Sequence, residues 1–356
     1  MITRLCDKFE VVALAARKNI ALLQEQAKIF HPSLLCVYEE EEATKLQKLL
    51  PHTRVVCGDS GLVEVATYEP CDFVMLSMTG SVALPAALAA IRLKKTVALA
   101  NKEILVSGGE LVMQEAKKYG ATILPVDSEH NALFQCLQGG KKSEVKRLIL
   151  TASGGPFRER DKETFSSITL QEALQHPNWK MGQKVSIDCS TLVNKGLEVI
   201  EAHFLFDISV AHIEVVIHPQ SIVHSLVEFI DGSILAQLSD PDMEKPIQYA
   251  LTYPDRLPFP SPPFSFPTLS FSPPDPDRFP ALKLAFEALE KKKSFPCFFN
   301  AANEVLVDRF IQGKIAWTSI SEKLQQLLAF HQGEEVLDLP SILSVEKKAK
   351  DLAYQI

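Results

Sequence analysis

Ala121-Thr122-Ile123-Leu124-Pro125-Val126-Asp127-Ser128-Glu129-His130-Asn131 decides the reading of this chain. The apolar run 121–125 reads as a buried strand, and the polar cluster behind it as that strand's C-terminal tip. Carboxylates two apart on a strand point to one face. Asp127 and Glu129 are therefore expected to hold one hard cation together, and oxygen ligands suit Mg²⁺ or Mn²⁺ better than zinc. Asn194-Lys195-Gly196-Leu197-Glu198 offers a third carboxylate. On a helix Lys195 and Glu198 share a face, as do Asn194 and Glu198. Spacing alone leaves the ordinary alternative open, a polar strand tip and a solvated helix face.

Upstream of this stretch, short apolar runs alternate with helical patterns. Phe9–Ala16, Leu34–Tyr38, Thr53–Cys57, Phe73–Ser77 and Thr96–Ala100 read as buried strands, and Ile20–Phe30 and Glu39–Leu50 as helices. That alternation predicts an α/β fold with a Rossmann-like, doubly wound parallel sheet. Ligands sit beyond the carboxyl ends of such strands. The polar tips Arg17-Lys18-Asn19 and Asn101-Lys102-Glu103 are thus candidate contacts. A basic pair such as Arg17-Lys18 is suited to a 2′-phosphate, with a solvated turn as the alternative. No glycine-rich turn of the dinucleotide type precedes Phe9. Gly58-Asp59-Ser60-Gly61 has the wrong place and pattern, and Gly108-Gly109 reads as a turn.

Downstream, Val145–Thr151 reads as a strand ending in Ala152-Ser153-Gly154-Gly155-Pro156-Phe157, a turn able to present N–H groups and a hydroxyl to a phosphate or sugar. His176-Pro177-Asn178-Trp179-Lys180-Met181-Gly182 reads as a loop or lid. Val185–Asp188 reads as a short strand. Ile213–His218 and Ile222–Phe229 alternate as strands, and Asp231-Gly232 turns a hairpin into Ser233–Leu238. His218 and His224 read as structural. This second region is α+β. Between Pro254 and Pro280 lie ten of the chain's 22 prolines, which makes the segment a linker. The helical period returns in 281–292, 301–312 and 320–330, a small helical domain in which Asn300 is the expected helix cap.

At 356 residues the chain has room for two or three domains. A net charge of −7 argues against a nucleic-acid partner, though not against a phosphorylated small molecule met by a local basic pocket. Seven scattered cysteines without a C-x-x-C pair fit a reducing cytoplasm. No apolar run approaches the ~18 residues of a membrane span, and the start lacks the apolar core of a signal peptide.

Taken together and in order, Leu99–Glu103, Pro125–Ala132, Ser153–Phe157, His176–Gly182, Asn194–Glu201, His218-Pro219-Gln220-Ser221 and Asn300–Glu304 closely resemble the 1-deoxy-D-xylulose 5-phosphate reductoisomerase family. The resemblance runs from about Phe9 to the C-terminus. It implies an NADPH-binding domain over 1–126, a catalytic domain over 127–252, a proline-rich linker over 253–279 and a C-terminal helical bundle over 280–356. It implies a homodimer and an activity of the non-mevalonate isoprenoid route: rearrangement and NADPH-dependent reduction of 1-deoxy-D-xylulose 5-phosphate to 2-C-methyl-D-erythritol 4-phosphate.

The resemblance implies a divalent metal, Mg²⁺ or Mn²⁺ with Co²⁺ as a further candidate, on Asp127, Glu129 and Glu198. Substrate contacts carry over to Lys102, Ser128, Glu129, Ser153, His176, Asn194, Lys195 and Glu198, with Cys189 near the phosphate and Trp179 covering the substrate. NADPH contacts carry over to Ala16, Arg17, Lys18, Asn19, Glu103 and Gly182, beside the strand-end Asn101. Lys102 would stabilise developing negative charge. Two departures stand out. The family's N-terminal strand and glycine-rich turn are expected to be lacking, which makes the NADPH domain incomplete and leaves two other readings: a metal-dependent sugar-phosphate isomerase or aldolase without nicotinamide, and an inactive truncated product. Cys189 stands where the family usually has serine, and a thiol is the weaker donor.

Overall fold

The computed structural model describes residues 1–356, which divide into two compact units. The first comprises Met1–Ile104, Leu111–Val126 and Ile247–Leu257. Its strands and helices alternate: β1 (Ala13–Ala16), α1 (Ile20–Phe30), β2 (Leu34–Val37), α2 (Glu40–Leu49), β3 (Arg54–Cys57), α3 (Gly58–Thr67), β4 (Phe73–Leu76), α4 (Leu84–Arg92), β5 (Thr96–Leu99), α5 (Glu103–Tyr119) and β6 (Ile123–Pro125). All pairings are parallel, and the strands form two three-stranded sheets, β1-β2-β3 and β4-β5-β6. β2 is apolar throughout and buried at every position, as an inner strand covered on both faces must be. Leu23 and Ala27 of α1, Leu35 and Val37 of β2, and Ala43 and Leu46 of α2 make one core. Three glutamates open α2, where the helix dipole favours negative charge. The turn expected at Gly108-Gly109 is a kink inside α5.

The second unit comprises Leu105–Glu110, Asp127–Pro246 and Pro258–Ile356. Its elements are α6 (Ser128–Leu137), β7 (Val145–Ala152), α7 (Leu170–Ala173), α8 (Gln183–Ser190), α9 (Val193–Phe206), β8 (Ile213–Ile217), β9 (Val223–Phe229) and β10 (Ile234–Leu238). Helix α10 (Glu244–Thr252), which belongs to the first unit from Ile247 on, follows in the chain, and the second unit continues with α11 (Pro280–Lys291), α12 (Phe295–Ile311), α13 (Trp317–Phe330) and α14 (Leu339–Gln355). The sheet order is β10-β9-β7-β8, with β7 parallel to β8 and antiparallel to β9. The Asp231-Gly232 hairpin joins β9 to β10. No regular element lies between Thr252 and Pro280 apart from a bridge from Ser272 to Ile217.

Two local expectations fail here. Residues 185–188 lie in α8 rather than in a strand. Asn300 is no cap: α12 starts at Phe295, and Asn300 is buried in its interior beside Phe298 and Phe299. The apolar run 295–299 is itself a helix face, covered because α12 packs against α11, α13 and α14. His218 is structural as expected: its Nδ1–H donates to the Ser270 carbonyl (2.9 Å) and its Nε2 accepts from the Ile222 and Val223 amides.

Candidate active site

The strand-tip reading of residues 127–129 is corrected by the structure. β6 ends at Pro125, Asp127 is the N-cap of α6, and Glu129 sits in that helix's first turn. The Asp127 carbonyl accepts the first intrahelical bond from the Asn131 amide at 2.8 Å, and Oδ1 accepts from the adjacent Ser128 amide at 3.0 Å. A helix N-terminus also favours negative charge, so both carboxylates suit this position for a reason the strand reading lacked. Ser128 Oγ donates to Glu129 Oε2 at 2.6 Å.

Helix α9 brings the third carboxylate. Asn194, Lys195 and Glu198 share one face, with Lys195 and Glu198 buried. Carboxylate oxygens of Asp127, Glu129 and Glu198 all lie within 4.8 Å of one another. Lys195 Nζ donates to Glu129 Oε1 at 2.7 Å and also to Glu198 Oε2, while Asn194 Nδ2 donates to Glu198 Oε1. Burial opposes the charge on Lys195, but Glu129 and Glu198 more than offset it and hold the amine above its ordinary range. An ammonium already lodged between two carboxylates shows that the site is built for positive charge. Three carboxylates against one ammonium leave two negative charges, and an all-oxygen set of this kind fits a hard divalent cation.

A second group surrounds the turn after β7. Gly154 and Gly155 have φ of +84° and +70°, a region closed to most L residues, and a Cβ on Gly155 would stand 2.7 Å from the Cys189 carbonyl oxygen. The turn thus lies directly on the last turn of α8. Ser153 Oγ is 2.9 Å from His176 Nε2 and accepts from the Gly155 amide at 3.2 Å. His176 Nδ1 accepts from the Asn178 and Trp179 amides at 3.2 and 3.0 Å, so the ring hydrogen is on Nε2 and points at Ser153. Burial pushes this imidazole down to about 4, against the pull of Glu129, and keeps it neutral at physiological pH. With both acceptor positions of Ser153 used, its own hydroxyl hydrogen is left to donate to a ligand.

The expected lid is pinned at Asn178, whose Nδ2 donates to the Pro219 carbonyl (2.6 Å) and Ser221 Oγ (2.7 Å). The Trp179 ring lies 6.2 Å from that of His224. Gly182 caps α8, with open space where a Cβ would be. Helix α8 is fixed from the helical bundle: Asp188 accepts from Asn303 Nδ2, and Ser190 Oγ accepts from Trp317 Nε1, both at 2.8 Å.

The remaining expected residues belong to the first unit. Ala16 ends β1, and Arg17, Lys18 and Asn19 follow it. Arg17 pairs with Glu39 at 3.3 Å on the surface, and Asn19 caps α1 by accepting from the Leu22 amide. Lys18 and Asn19 line an open cavity of about 770 Å³ with Glu39–Glu42. Lys102 and Glu103 begin α5 beyond the carboxyl end of β5. Asn101 is committed inside the fold: Nδ2 donates to the Met78 and Gly80 carbonyls and Oδ1 accepts from the Ile104 amide, so its side chain ties the end of β5 to the loop after β4.

Sequence reasoning gave no role to His130 and Glu201, both fully buried behind the carboxylates. Glu201 is three residues beyond Glu198 on α9, a spacing from which its shared face could have been read.

A family model described as 1-deoxy-D-xylulose 5-phosphate reductoisomerase matches residues 1–109, and models of that enzyme's C-terminal domains match 123–206 and 238–352. The chain is 49% identical to the reductoisomerase of Protochlamydia amoebophila over 98% of this chain and 91% of that protein. It is 50% identical to that of Chlamydia trachomatis over 98% and 93%. The Zymomonas mobilis enzyme in complex with NADPH superposes with a TM-score of 0.92 at 39% identity, covering 99% of this chain and 93% of that one. A DOX-P reductoisomerase in complex with NADPH, fosmidomycin and magnesium also gives 0.92, at 40% identity, with the same coverage.

These matches overturn the expectation that the family's N-terminal strand and glycine-rich turn are lacking and the first domain incomplete. The N-terminal family model matches from residue 1, and solved relatives cover 99% of this chain. That expectation rested on what precedes Phe9, whereas the match rests on the successive strand–helix units of residues 1–109. By family models, sequence and superposition alike, the chain belongs to the 1-deoxy-D-xylulose 5-phosphate reductoisomerase family.

Proposed function

We propose that Asp127, Glu129 and Glu198 hold the divalent cation of the family's reaction. The chain is an NADP-dependent oxidoreductase that converts 1-deoxy-D-xylulose 5-phosphate to 2-C-methyl-D-erythritol 4-phosphate with NADPH and Mg²⁺. The observation that carries the ligand assignment is the convergence of three carboxylates from two distant segments within 4.8 Å, around a lysine ammonium. Bound there, a divalent ion supplies Lewis acidity and a template for the substrate's oxygens, and the reduced nicotinamide supplies hydride. Mn²⁺ and Co²⁺ have chemistry compatible with the same oxygen set.

The chain's own residues do the rest. Ser153, with its hydroxyl hydrogen left to donate, binds the phosphate tail together with Asn194 and Lys195, beside Cys189. Neutral His176 keeps Ser153 oriented from behind. Ser128 holds Glu129 and contacts the substrate. Trp179 covers the bound sugar and excludes water from the reacting centre. Lys102 stabilises negative charge as it develops. In the first unit NADPH contacts fall to Ala16, Arg17, Lys18, Asn19 and Glu103, with Arg17 and Lys18 suited to the 2′-phosphate, and in the second unit Gly182 is a further contact.

We place the homodimer contact on β10, the outer strand of its sheet, where Ile234, Leu235 and Leu238 are exposed. An open apolar edge invites a second copy. Leu235→Asp is expected to halve the mass measured by light scattering; an unchanged mass would remove this surface from consideration. No helix is long and apolar enough to cross a membrane, and seven cysteines without a disulfide suit a cytoplasmic setting.

The metal assignment is tested by Mn²⁺ titration of Glu198→Gln. Metal affinity and turnover should be lost while NADPH affinity stays unchanged. Full metal affinity in the variant would overturn the assignment.

A further inference from the structure

We propose that His130, backed by Glu201, is a positioning residue that fixes the metal-facing carboxylate of Asp127 against Glu198. The inference rests on the reading of Asp127 and Glu198 as metal ligands and extends it to residues that touch neither substrate nor cofactor.

The ring of His130 is completely buried and meets both ligand-bearing segments. Its Nε2 lies 2.9 Å from the backbone carbonyl of Glu198. A carbonyl only accepts, so Nε2 carries a hydrogen and the tautomer is set by α9 itself. The other nitrogen faces two carboxylates: Nδ1 is 3.3 Å from Glu201 Oε2 and 3.8 Å from Asp127 Oδ2. Ligand atoms of Asp127, His130 and Glu201 fall within 4.8 Å of one another. The ring plane is set by Phe206, stacked at 6.4 Å and 12°. One imidazole therefore spans from the α6 cap to the α9 backbone, and Glu201, one turn beyond Glu198, closes the arrangement from the core side. The ring thus stands between the Glu198 backbone and Asp127 Oδ2, with Glu201 closer behind it, so the imidazole sets how near the Asp127 carboxylate can lie to α9. Outer partners of this kind orient ligand carboxylates, and their loss lowers metal affinity about ten- to a hundredfold.

The test is a Mn²⁺ titration followed by electron paramagnetic resonance, with Mn²⁺ as the only added ion, on five full-length proteins: wild type, Glu198→Gln, Glu201→Gln, His130→Phe and the double variant of the last two. Phe fills the ring's space and keeps the stack on Phe206, while Gln keeps the volume of Glu201. The expected result is a loss of about tenfold or more in Mn²⁺ affinity for the His130 and Glu201 variants. The double variant should be no weaker than His130→Phe alone, because Glu201 acts through the ring. NADPH affinity should be unchanged, and kcat at saturating Mn²⁺ should recover while the metal requirement rises. Wild-type Mn²⁺ affinity in Glu201→Gln and His130→Phe, with Glu198→Gln lost, would sink this inference alone. Retained affinity in Glu198→Gln would sink the ligand assignment beneath it. Complete loss in Glu201→Gln, equal to that in Glu198→Gln and not rescued by excess metal, would make Glu201 a ligand and overturn the positioning role. If His130→Phe fails to fold, the isosteric Glu201 variant still decides.

Discussion

Gly196 separates the two residues that matter most on α9, and its neighbourhood can be tested quantitatively. A Cβ placed there would stand 2.5 Å from Ala285 Cβ on α11. Two carbons in contact want about 3.5–4.0 Å, so Gly196→Ala must push the helices apart by roughly 1 Å. Overpacking of that kind costs about 1–3 kcal/mol. Alanine in a helix interior returns about 1 kcal/mol relative to glycine. The net expectation is a loss of roughly 1 kcal/mol, together with displacement of Lys195 and Glu198 and weaker metal binding. Ala285→Gly removes the opposing methyl and costs roughly 1–2 kcal/mol by itself, through propensity and lost burial. In the double variant one methyl simply changes sides, so its stability should return to within roughly 0.5 kcal/mol of wild type. The coupling energy is then about 2 kcal/mol, well above the 0.3–0.5 kcal/mol within which independent sites add. Both tryptophans, Trp179 and Trp317, belong to the second unit, so their fluorescence during urea unfolding reports on the part that contains both helices. Mn²⁺ affinity should fall in Gly196→Ala and recover in the double variant. Simple additivity of the two single changes would refute the close approach of α9 and α11 as the reason for glycine here.

Two further outcomes are expected. The His176 imidazole, held near 4 by burial, should show no protonation by NMR between pH 5.5 and 8, and a midpoint near 6.5 would contradict the Ser153–His176 arrangement. Because the unfolded chain takes up that proton near pH 6.5 and the folded one only near 4, this group's contribution to stability is complete above 6.5 and is lost as pH falls from there towards 4. Cys189→Ser, which replaces a weak donor by a stronger one beside the Gly154-Gly155 turn, should lower the KM for the phosphorylated substrate, whereas an unchanged KM would assign the phosphate to other groups.

The parallel strands of the first unit were legible because each is a short apolar run bounded by polar tips, a pattern that burial on both faces imposes without help from distant residues. Ile20–Phe30 was legible to the residue, with Asn19 capping one end. The acidic stretch at 127–129 was legible as chemistry but not as geometry. A strand tip and a capped helix start share the same residues, and the bonds from the Ser128 amide to Asp127 Oδ1 and from the Asn131 amide to the Asp127 carbonyl distinguish them. Asn300 failed as a cap for the reverse reason: a polar residue before a helical pattern looks like a start unless the apolar residues ahead of it are known to be covered by neighbouring helices.

Residue types and local periodicity thus determined most of the strands, though not the fate of residues 185–188, together with where charge collects and which acidic residues are available, since those follow from side-chain chemistry read along the chain. Tertiary structure alone decided that Glu198 meets Asp127 and Glu129, that Lys195 lies between them, and that His130 and Glu201 close the space behind. Those contacts join α6 to α9 across some 70 residues of intervening chain, and no local propensity encodes a distance between elements that far apart in sequence.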